Sequence, residues 1–97
     1  MGAIILTDQE IEKRLEELEG WDYVDGAIET SLQFNNFKEA FMVMTRIAFE
    51  CEALNHHPDW SNVYNSLRIR LNTHDVNGVT EKDFKLAKKI EEIIESE

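Results

Sequence analysis

Three histidines, His56, His57 and His74, are the residues of this chain best suited to moving protons, and all fall where the sequence pattern is least regular. His56 and His57 precede Pro58, where a helix must end, and His74 follows a strand-like run. Side chains at the ends of elements, held by a rigid scaffold, are where sites collect. Imidazole titrates near neutrality, so one ring can donate a proton while another accepts one. The bland alternative is two solvated histidines at a helix end and an unrelated third. A metal site is the sharper rival, because Glu52 and His56 stand four apart on one helical face and His74 could complete a ligand set. Adjacent histidines point in different directions, however, and there is no cysteine pair or HExxH pattern, so the expectation is no metal. Asp83 can cap a helix opened by Thr80 or can orient an imidazole. Trp21, Trp60 and Tyr64 can stack on a flat heterocycle or fill a core. The sequence has no glycine-rich phosphate loop, no GxSxG elbow and no CxxC pair. Cys51, the only cysteine, sits in an apolar helical stretch and reads as a buried thiol.

The elements that position these residues follow from capping and periodicity. Thr7-Asp8-Gln9-Glu10 is a capping box, followed by Ile11, Leu15 and Leu18 at helical spacing and by Gly20 as a stop. Trp21 to Val24 and Ala27 to Phe34 read as strands joined by an Asp25-Gly26 turn. In the return strand Ile28, Thr30, Leu32 and Phe34 face one way, and Glu29, Ser31 and Gln33 the other. Asn36 opens a long second helix with a core stripe at Phe37, Ala40, Phe41, Met44, Ile47, Ala48 and Cys51. Met42, Val43 and Phe49 widen that stripe, which fits either a subunit contact or a broad core face. The helix must stop near Asn55, because Pro58 disfavours helical geometry before it. Trp60 to Tyr64 is a short extended piece. Leu67, Ile69 and Leu71 alternate with Arg68, Arg70 and Asn72, as in a half-buried strand, with the arginines solvated or paired across an interface. After an Asn77-Gly78 turn, Thr80 to Asp83 opens a last helix with core positions Phe84, Ala87, Ile90 and Ile94. Helix, hairpin, helix, two strands, helix predicts an α+β fold, an antiparallel sheet with helices on one face.

Composition narrows the function classes. Ninety-seven residues, 42% of them hydrophobic, fit a single domain over 1–97. A domain so small, without a disulfide framework, is expected to associate into oligomers. Twenty acidic residues against ten basic ones give a formal charge of −10, which argues against direct binding to nucleic acid or to anionic membrane. Met1 to Leu6 is too short for the apolar region of a signal peptide, and no stretch approaches membrane-spanning length, so the expected location is the cytoplasm.

Taken together, Glu52 to Trp60, Asn62 to Asn65, Thr73-His74-Asp75 and Thr80 to Asp83 resemble the pterin-4a-carbinolamine dehydratases. The likeness rests on a polar or acidic residue separated by three positions from His-His-Pro, then an aromatic, a later histidine and a further aspartate. It extends over residues 34 to 94, and more loosely upstream with Trp21 as anchor. The resemblance implies a four-stranded antiparallel sheet with three helices on one face, and dimers or tetramers formed through the long second helix and a sheet edge. It implies loss of water from 4a-hydroxytetrahydrobiopterin to give the quinonoid dihydropterin, without metal or organic cofactor. His56 and His74 would be the acid/base pair, and His57 would chiefly bind and orient the ring. Asn55 to His57 and Asn72, Thr73 and His74 would line the pterin pocket, while Glu52 and Asp83 would hold the histidines or meet the polar edge of the ring. Asn72 stands where several relatives have a small hydroxyl residue. Some animal relatives also serve as dimerisation cofactors of a homeodomain transcription factor, so a protein-binding role is the alternative from another class. A third reading keeps the site but turns it to another pterin, such as one of the molybdopterin pathway.

Overall fold

Capping chemistry sets the helix starts. In the computed structural model, which describes residues 4–96, the Thr7 hydroxyl accepts the Glu10 N–H at 3.1 Å and the Glu10 carboxylate accepts the Thr7 N–H at 2.9 Å. Helix α1 (Asp8–Leu15) follows. The first three residues of the Met1–Leu6 stretch lie outside the described residues. Strands β1 (Asp22–Val24) and β2 (Ala27–Gln33) are joined by Asp25 and Gly26, both at positive φ (48° and 78°). That left-handed pair is what a two-residue turn needs to match the twist of its strands. Helix α2 (Phe37–Leu54) starts at Asn36, whose side-chain oxygen accepts the Glu39 N–H at 2.9 Å. Strands β3 (Asp59–Val63) and β4 (Ser66–Leu71) come next, and α3 (Glu81–Glu95) starts from Thr80.

The four strands pair antiparallel in the order β1-β2-β4-β3, and the three helices pack on one face of the sheet. Alternation turns Ile28 and Thr30 of β2 and Leu67, Ile69 and Leu71 of β4 toward those helices, where all five are buried. They meet Ile11 of α1, Val43, Ile47 and Cys51 of α2, and Leu86, Ala87 and Ile90 of α3. Each buried Leu or Ile side chain contributes about 1.5–3 kcal/mol. On the opposite face Glu29 accepts from Arg70 at 3.1 Å and from Arg68 at 3.2 Å, so both arginines find their partner within the chain.

The long helix differs from its expected stripe. Ala40, Ile47 and Cys51 are buried as expected and Met44 is half-buried, but Phe37, Phe41 and Ala48 are exposed. Val43 takes their place in the core. One sheet face accepts an arc of roughly 100° of a helix, and Ala40, Val43, Ile47, Cys51 and Leu54 fill it. Phe41, Thr45, Ala48 and Glu52 form the next ridge, outside it. In α3, Leu86 and Ile93 join the core beyond the positions expected, and Ile94 is only half-buried. Among the described residues no helix is long and apolar enough to cross a membrane.

Candidate active site

The register of the sheet builds the site. β3 and β4 pair with Asp59 opposite Arg70, so the residues just before β3 lie beside those just after β4. Asn55 takes a left-handed conformation (φ 51°, ψ 45°), and the N–H of His56 closes back on the Cys51 carbonyl at 3.0 Å. Such a left-handed cap ends the helix and turns the chain out of its axis. On the other side Thr73 bridges Gly78, with its N–H on the Gly78 carbonyl at 2.9 Å, and the loop between them carries His74 and Asp75. Gly78 suits this position because a Cβ there would come within 3.0 Å of the Ile5 side chain. The Leu6 N–H, on the Val79 carbonyl at 2.9 Å, fastens that N-terminal segment against the loop.

Six residues singled out from sequence, Asn55, His56, His57, Asn72, Thr73 and His74, line one hollow of about 220 Å³. Asp75 and Lys82 complete the lining, and sequence reasoning missed both. The signal for Lys82 was its place beside Asp83 in the first turn of α3, which no motif marks. Asp83 lies behind the hollow, fully buried. Its Oδ1 sits 2.6 Å from His56 Nε2, while its Oδ2 accepts from the Thr73 hydroxyl at 2.8 Å and the Thr80 N–H at 2.9 Å. The two readings of Asp83, helix cap and imidazole holder, are therefore realised by its two oxygens. His57 pairs instead with Glu52, Nε2 to Oε2 at 2.6 Å, out in solvent. The ring of His74 has no hydrogen-bond partner among the described residues and faces the hollow exposed. Asn72 turns its amide to the Gly26 carbonyl at 2.6 Å and so ties the hollow to the β1–β2 turn.

The sequence of the chain matches the family model described as Pterin 4 alpha carbinolamine dehydratase over residues 5–93. The chain belongs to the pterin-4a-carbinolamine dehydratase family. A protein of Christiangramia forsetii, provisionally named a pterin-4-alpha-carbinolamine dehydratase, is 62% identical over 91 residues, covering 94% of each chain. One of Opitutus terrae with the same name is 50% identical over 90 residues, covering 92% of this chain and 93% of its own. The crystal structure of a transcriptional coactivator/pterin dehydratase from Brucella melitensis superposes with a TM-score of 0.90 at 43% identity, covering 93% of this chain and 98% of that one.

Within this dehydratase fold several expectations change. Glu52 and His56 do not share a helical face: the left-handed turn at Asn55 sends His56 inward to Asp83 and leaves Glu52 to His57. Among the described residues no group of three or more His, Cys, Asp or Glu side chains is arranged to hold a metal ion. None of the three candidate stacking aromatics lines the hollow. Trp21 is core and donates its Nε1–H to Glu91 at 3.1 Å, Trp60 is half-buried against the core, and Tyr64 is exposed in the β3–β4 turn. Cys51 is buried as expected, and desolvation pushes its thiol up to about 11.

Proposed function

We propose that this protein dehydrates a 4a-hydroxytetrahydropterin, 4a-hydroxytetrahydrobiopterin by resemblance, by general acid/base catalysis between imidazoles. In the reaction the N5–H proton is removed and its electron pair forms the N5=C4a double bond. The C4a–O bond breaks, and the departing hydroxyl takes a proton to leave as water. His56 and His74 come from two separate chain segments that line the hollow and are suited to these two transfers, with His57 binding and orienting the ring. The observation that carries the reading is the meeting of three imidazoles from two separate chain segments around one hollow. Lack of organic cofactor or metal in the scheme follows from the chemistry, since the nitrogen lone pair drives expulsion and each proton needs only a weak base or acid. Stopped-flow dehydration of the carbinolamine is the test. His56→Ala and His74→Ala, both folded, are expected to lose about 10²-fold in turnover. Unchanged turnover in both overturns the proposal. Running a molybdopterin-pathway pterin beside 4a-hydroxytetrahydrobiopterin in the same assay selects the substrate.

A second reading concerns partners. Phe37, Phe41, Met42 and Phe49 are exposed on the outer ridge of α2, and Val63 and Tyr64 are exposed at the β3 edge of the sheet. Phe37 and Phe41 stack at 5.5 Å. Apolar surface of this kind favours self-association into a homodimer or homotetramer through the long helix and the sheet edge. Light scattering should give a multiple of the 11.3 kDa chain, reduced in Phe41→Glu. A monomer at tens of micromolar would instead favour a different protein as the partner of this face.

A further inference from the structure

Donor accounting around Asp83 has a direction. A threonine hydroxyl has one hydrogen to give. Thr73 gives its hydrogen to Asp83 Oδ2, so in the 2.7 Å contact between the two threonine hydroxyls Thr80 must be the donor. The Thr80 oxygen in turn accepts the Lys82 N–H at 3.2 Å. The hydroxyls therefore run one way, from the first turn of α3 to the carboxylate, and the Thr80 N–H adds a second donor to the same oxygen. All three residues are buried, which leaves solvent little chance to compete.

A carboxylate at a helix N-terminus that already takes two hydrogens on one oxygen is an acceptor on the other as well. The hydrogen in the 2.6 Å contact with Oδ1 thus belongs to His56 Nε2. A neutral ring carries one N–H, so Nδ1 keeps its lone pair. Nδ1 makes no hydrogen bond among the described residues, and none of their buried side-chain nitrogens or oxygens is left unpartnered. Nδ1 is therefore open to solvent, and the open space that His56 borders is the hollow.

We infer that Thr73 and Thr80 are positioning residues: acting through Asp83, their one-way hydroxyl relay fixes His56 in the Nε2–H tautomer and makes Nδ1 the atom that accepts the substrate's N5 proton. The assignment of N5 rests on the dehydratase reading; the tautomer does not. When Nδ1 takes that proton, the N5–H electron pair becomes the N5=C4a bond and Asp83 balances the imidazolium. The oxygen leaving C4a takes its proton from His74, whose ring faces the hollow. Thr73 lines the hollow but spends its hydroxyl inward, so it orients a catalytic group and does not hydrogen-bond the pterin through that oxygen.

The test joins ring 15N–1H correlation spectra of the full chain labelled at histidine with dehydration kinetics. Wild-type His56 is expected to show the Nε2–H pattern with a slowly exchanging ring hydrogen. In Thr73→Val the pattern averages between tautomers and kcat falls about tenfold, the worth of one such bond, while KM moves little. Thr73→Ser, which keeps the donor, recovers both. An Nδ1–H pattern in the wild type overturns the inference without any variant, so a failure of Thr73→Val to fold does not protect it. Thr73→Val that melts like wild type and keeps both pattern and kcat overturns it, as does a Thr73→Ser that fails equally. A wild-type Nε2–H pattern that averages in Thr73→Val, in a protein that dehydrates nothing, overturns the dehydratase reading and the N5 assignment while supporting the tautomer control.

Discussion

Two imidazoles of the same hollow each pair with a carboxylate at 2.6 Å, in opposite surroundings. In His56–Asp83 the side chains are 9% and 0% exposed; in His57–Glu52 they are 57% and 77% exposed. Distance alone would rate them equal. Water screens the outer pair, and holding its long side chains in one geometry costs entropy. The inner pair is desolvated, which is unfavourable unless further hydrogen bonds support the carboxylate. The Thr73 hydroxyl and the Thr80 N–H both donate to Asp83 Oδ2, so the inner pair is held and the outer one is free to rearrange. Rigid placement suits an imidazole that must hold one tautomer, and mobility suits one that follows a ligand.

Removing each carboxylate tests that contrast, and the largest effect belongs to the inner one. Asp83→Ala strands the ring hydrogen of His56, the Thr73 hydroxyl and the Thr80 N–H, and is expected to cost about 3 kcal/mol in urea unfolding. Glu52→Ala is expected to cost less than about 1 kcal/mol. Equal losses would break the comparison. Salt sharpens it further, because screening that already acts over about 10 Å at 0.1 M grows stronger still at higher ionic strength. Raising sodium chloride from 0.05 to about 0.5 M should move the ring resonances of His57 and leave those of His56 in place.

The smallest effect comes from the neighbour of Glu52. Cys51 faces inward at 2% exposure, and desolvation, with a smaller push from the Glu52 charge, lifts its thiol from 9.0 to about 11. In the unfolded chain the thiol ionises first, so the stability tied to the neutral form is complete below pH 9 and is lost as pH rises toward 11. Cys51→Ala should flatten the decline in melting temperature over that window. A decline of the same slope in the variant would assign it to other groups. Iodoacetamide at pH 8 should label the native thiol far more slowly than the unfolded one.

Much of the fold was legible because its signals are short-range. The boxes at Thr7–Glu10 and Thr80–Asp83, the Asp25-Gly26 turn and the stop before Pro58 each act within about four residues, and each formed as read. Strand alternation at Leu67, Ile69 and Leu71 likewise depends only on a period of two. Periodicity failed on α2, because an amphipathic pattern gives a face and not its neighbour. Phe41 and Val43 are equally apolar, and only the width of the sheet beneath them left one outside and took the other in.

For the site, residue types were enough to single out three imidazoles and their acidic companions, and the resemblance supplied their expected roles. What the chain order could not assign was which carboxylate meets which ring. Spacing favoured Glu52 with His56, whereas a left-handed turn at one residue, Asn55, exchanged the partners. His56 meets Asp83 across 27 positions of sequence because β3 pairs with β4 and α3 starts behind them. Hydrogen bonds over such a separation depend on sheet register and helix placement, which are set by burial of the whole core and are not written in any local run of residues.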